Sequence, residues 1–79
     1  MDEHEILGRI ETLVDEEHHL EGTADHTLTD ADRARRHHIE IALDQCWDLL
    51  RQRRARRSAG LNPDDAQVRP ANVVEGYQQ

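Results

Sequence analysis

The chain contains no lysine and no phenylalanine, and one copy each of cysteine, tryptophan, tyrosine, methionine and serine in 79 residues. A single cysteine, Cys46, excludes an internal disulfide framework, and an unpaired thiol suits a reducing compartment. No apolar run approaches the roughly 18 residues that a membrane span requires. The opening MDEHEILGR carries acids where a signal peptide has a basic segment followed by an apolar one. These absences predict a cytoplasmic protein without a membrane segment. There is no glycine-rich phosphate loop and no nucleophile elbow, and the lone serine, Ser58, falls at an expected helix end. The expectation is a non-enzymatic protein with no catalytic residue and no cofactor.

Apolar residues are also scarce. Eight Leu, four Ile and four Val with no Phe make about a fifth of the chain, the level below which a charged sequence tends to disorder. A chain of this length holds one small domain at most, with a core that is marginal unless metal, disulfide or association adds to it. Only strict patterning can produce a fold from such material.

The patterning is present. At about 100° per residue, Ile6, Ile10, Leu13, Val14 and Leu20 share one face, with Leu7 at its edge. This predicts a first helix over about 2–21, stopped at Gly22 and followed by the turn-forming GTADHTLT. Thr29, with Asp32 three residues later, reads as a capping box opening a second helix over about 30–57, which ends at Ser58-Ala59-Gly60. On that helix Ile39, Ala42, Leu43, Cys46, Trp47, Leu49 and Leu50 span roughly 160° of arc, more than one neighbouring helix covers. The expected fold is all-α: an antiparallel two-helix hairpin over residues 1–58, an extended C-terminal tail over 59–79, and dimerisation into a four-helix bundle.

Charge is divided along the chain. Residues 1–32 hold eleven acids and one arginine, whereas 33–57 hold eight arginines and three acids, within a net charge of −7. In an antiparallel pair, Glu17 should come near Arg35 or Arg36, and Asp2 and Glu3 near Arg53 and Arg54. Such pairs fix register more than they add stability.

Six histidines raise a metal reading, with Glu16 and His19 at a spacing used in carboxylate-bridged sites. His19 and His37 project away from the apolar arcs, so four ligands do not converge, and no metal is expected. Cys46, near the centre of its arc, reads as a buried filler, and Trp47, at the rim, as an interface anchor. The run Arg51, Arg53, Arg54, Arg56 and Arg57 raises an alternative, a nucleic-acid-associated regulator. These arginines spread around the helix instead of forming a one-sided patch, so pairing with the acids of the first helix is the better reading. Val68, Pro70, Val73, Val74 and Tyr77 give the tail anchors for packing on its own bundle, with Trp47 as the place to tie it, or for entering a partner's groove. The candidate partner surface is therefore Trp47, Arg51, Arg54, Val68, Arg69, Pro70 and Tyr77, serving a homodimer and an unidentified protein partner.

The stretches LDQCWDLLRQRRARR (43–57), AGLNPDDAQVRP (59–70), VVEGY (73–77) and ILGRIETLVDEEH (6–18) resemble a family of small uncharacterised actinobacterial proteins, a domain of unknown function. The resemblance spans nearly the whole chain apart from EGTADHTLTDADRARRHH. It implies a compact helical protein in which the cysteine, tryptophan, arginine run and tail recur together, and it supplies no substrate, cofactor or catalytic residue.

Overall fold

The structure, a computed structural model, describes residues 1–22 and 29–74. It is all-helical among those residues: α1 (Glu3–Gly22), α2 (Asp30–Ser58), a 3-10 turn (Pro63–Asp65) and a single turn, α3 (Ala71–Val74).

Local chemistry sets the ends. The Asp2 carboxylate accepts the Glu5 N–H at 2.8 Å, capping α1. At α2 the Thr29 hydroxyl accepts the Asp32 N–H at 3.1 Å, while the Asp32 carboxylate accepts the Thr29 N–H at 3.2 Å, a reciprocal capping box. The C-terminus of α2 closes with Leu61 N–H on the Arg56 carbonyl and Gly60 N–H on the Arg57 carbonyl. That double bond pattern places Gly60 in the left-handed region, at φ 74°.

Acid–base contacts run in opposite order along the two long helices. Glu3 meets Arg54 and Arg57 at 3.5 and 3.7 Å, and Glu16 meets Arg35. The latter contact differs from the expected Glu17 pairing. Residue 16 lies on the same flank of the helix pair as Arg35, whereas residue 17, 100° further round, turns to the opposite flank beside Trp47. Between the helices Ile6, Ile10, Leu13, Ile39, Cys46, Leu49 and Leu50 form the core, with Val14, Leu20, Ala42, Leu43 and Ala66 packed against it.

The segment after Gly60 departs from the expected extended tail. The Asn62 side chain caps the 3-10 turn by accepting the Asp64 N–H at 3.0 Å, and Pro70 starts α3 by offering its carbonyl to Val73 and Val74. Both turns lie against α2, and Val74 is buried. A proline at each turn pre-sets the backbone for a tight bend, so the segment folds back along α2 instead of leaving it.

Candidate functional site

The polar centre of the molecule is Asp48, fully buried on α2. Its position lies about 180° round the helix from Ile39, on the face that α1 does not reach. The tail covers it. Arg69 grips the carboxylate with two parallel bonds, Nε to Oδ2 at 2.9 Å and Nη2 to Oδ1 at 2.8 Å. This fork geometry is the strongest form of a carboxylate contact. Gln52 donates to Asp48 Oδ2 at 2.9 Å and to the Gln67 carbonyl at 2.7 Å, and Gln45 donates to the Arg69 carbonyl at 3.2 Å. Gln45, Asp48 and Gln52 stand at i, i+3 and i+7, so one stripe of α2 reads the backbone and one side chain of residues 67–69.

Arg53 makes a second fastening. It is buried, and its Nη1 donates to the Met1 carbonyl (3.2 Å), the Pro63 carbonyl (3.2 Å) and Asp64 (2.9 Å). One guanidinium thus joins the start of the chain, the last turns of α2 and the 3-10 turn, while its Nε lies buried without a hydrogen-bond partner among the described residues. These fastenings use most of what looked like free polarity in the arginine run. Arg53 is interior, Arg54 and Arg57 meet Glu3, and Arg51 is exposed.

The expected partner surface is divided by this arrangement. Val68, Arg69 and Pro70 sit on the tail beside Gln45, Asp48 and Gln52, whereas Trp47 lines a groove of about 390 Å³ with Glu17, Glu40, Leu43 and Asp44. Arg54 is on the Trp47 side, as its contact with Glu3 shows. Trp47 is therefore not what ties the tail among the described residues. It lies about 140° from Gln52 around α2, too far to share the tail's footprint. Tyr77 lies outside the described residues.

The two flanks of the helix pair now differ. One is covered by the chain's own tail, which leaves its Leu61, Val68 and Val73 exposed. The other carries Leu7 at 46% and Trp47 at 44% exposure, with Val14 and Leu43 half-buried between them. Cys46 is buried, and desolvation pushes its thiol pKa up, with the Arg9 charge opposing more weakly. It has the setting of a filler, not of a nucleophile. Among the described residues no three His, Cys, Asp or Glu side chains group to hold a metal ion, and no helix is long and apolar enough to cross a membrane.

The signal that reasoning from sequence passed over is Asp48 with Arg69. An acid on the hydrophilic side of a helix reads as solvated charge, but Arg69 is the one arginine after Arg57 and stands beside a proline.

Comparison with known proteins joins this geometry to a family. The chain matches the family described as "Protein of unknown function (DUF2630)" over residues 2–79. It belongs to that family. Its relatives include the Uncharacterized protein Mb0922c of Mycobacterium bovis and the Uncharacterized protein Rv0898c of Mycobacterium tuberculosis. Each is 49% identical over 75 residues, spanning 92% of this chain and 86% of the relative. No solved structure matches the chain.

Proposed function

We propose that this DUF2630 protein is a non-enzymatic, cytoplasmic interaction protein, an antiparallel helical hairpin that acts through self-association and protein binding. The observation that carries the reading is the asymmetry of its flanks. The buried Asp48 and Arg53, with the half-buried Gln52 and Arg69, are spent on fastening the tail, and the opposite flank keeps a tryptophan and a leucine nearly half exposed. Tryptophan is the residue most enriched at the energetic centres of interfaces. A small domain with so few strong apolar residues gains stability by burying such a flank in a dimer, here a four-helix bundle.

Sedimentation equilibrium of the wild type and of Trp47→Arg tests the reading. A dimer that becomes monomeric on substitution, with helical content unchanged, supports it. A wild type that stays monomeric at several hundred micromolar defeats self-association and with it this function.

A further inference from the structure

The open flank has a charge pattern centred on Trp47. Towards the start of α2 stand Glu40 and Asp44, seven and three residues before it; towards the end stand Arg51 and Arg54, four and seven residues after it. At 100° per residue all four fall on the Trp47 side of α2. Glu40 and Asp44 line the Trp47 groove; Glu40 lies 3.6 Å from Arg36 Nε with its side chain still 49% exposed, and Arg54 keeps a side-chain exposure of 63% while its Nε lies 3.5 Å from Glu3. Leu7, one turn beyond Glu3, is 46% exposed.

We infer that a second copy of this chain occupies the flank, related by a two-fold axis that passes between the two α2 helices at the level of Trp47, so that they run antiparallel. The inference rests on the self-association proposed above and adds its geometry. In an isologous contact residue i of one copy meets residue j of the other and the reverse. An axis at position 47 sets Glu40 opposite Arg54 of the second copy, and Asp44 close to Arg51 of the second copy, each contact occurring twice. The two Trp47 rings meet at the centre. A parallel arrangement of the same faces stacks acid on acid at one end and arginine on arginine at the other, which is penalised. The body is 50 Å long, so the flank runs the length of the helix pair. The tail, on the other flank, is left in place.

Native mass spectrometry of ¹⁵N-labelled wild type mixed with unlabelled variants tests the orientation. R51E/R54E and E40R/D44R should each weaken the homodimer by about tenfold or more, because every substitution counts twice across a two-fold axis. The fully inverted variant E40R/D44R/R51E/R54E should again form a homodimer but no mixed dimer with wild type, since antiparallel mixing sets like charges together. Retained helical ellipticity controls for folding. If the four-fold variant fails that control, E40R/R54E applies the same logic at the outer pair alone. Abundant mixed dimer, or R51E/R54E and E40R/D44R that dimerise like wild type, overturns the antiparallel contact while leaving self-association standing. A monomeric wild type removes both.

Discussion

Replacing Arg69 with alanine leaves the Asp48 carboxylate, 0% exposed, with Gln52 as its remaining partner. Breaking a buried pair from one side costs about 3–5 kcal/mol, because the surviving charge is left without compensation. The tail can lift to admit water, which places R69A at the lower end, about 3 kcal/mol. The opposite truncation is milder. Asp48→Ala removes the interior charge itself, and the Arg69 side chain, already 41% exposed, finishes its solvation in water. Its cost should be about 2 kcal/mol, the value of two charge-assisted bonds to a partly exposed partner. The double variant should cost little more than D48A, so the two substitutions are non-additive by about 2–3 kcal/mol. A domain of this size holds about 4–12 kcal/mol in all, and each kcal/mol shifts Tm by about 4–8 °C. R69A should therefore lower Tm by more than about 10 °C. Urea titration followed by helical ellipticity measures the global effect. Amide exchange at Val73 and Val74, bonded to the Pro70 carbonyl, shows whether the tail opens first. A loss below about 0.5 kcal/mol for R69A, the size of an ordinary surface change, or a larger loss for D48A than for R69A, refutes the clamp.

Three further outcomes are expected. Gly60→Ala should cost about 1 kcal/mol in urea titration, since its φ of 74° is left-handed although the space around it is open. Cys46 should react with a thiol reagent many times more slowly in native protein than in urea. Because its folded pKa is raised by burial, the stability it contributes is full below the ordinary thiol range and declines as pH rises through it towards the raised value. The Asp2 carboxyl, held below its usual pKa chiefly by the Glu5 N–H, contributes above that usual value and loses its contribution as pH falls through the lowered one. Asp2→Asn should flatten the acid limb of a melting-temperature profile.

What the sequence makes legible is whatever depends on near neighbours. The Thr29–Asp32 box, the Gly60 stop and the 3.6-residue period of Ile6, Ile10 and Leu13 are signalled within a few residues, and they suffice for the two long helices of the described residues. The same period puts Cys46 inside and Trp47 at the rim. The clamp is illegible for the opposite reason. Asp48 and Arg69 are 21 residues apart with a glycine turn and a 3-10 turn between them, and nothing periodic announces that the intervening segment folds back. The Glu16 contact is intermediate: the expected antiparallel pairing narrows the choice to two adjacent acids, and the flank taken by Arg35 decides between them. Trp47 and Arg69 look like parts of one surface on a linear chain because both flank charged motifs. The fold sends them to different sides.

Trp47 is the single tryptophan, so its fluorescence reports the open flank and nothing else. The decisive measurement is its emission maximum across a dilution series from millimolar to nanomolar, read alongside sedimentation mass. A blue-shifted spectrum that moves to the red at the same concentration where the mass halves is the expected result. An emission maximum that stays constant while the mass halves, or a mass that never exceeds the monomer, contradicts association through this flank.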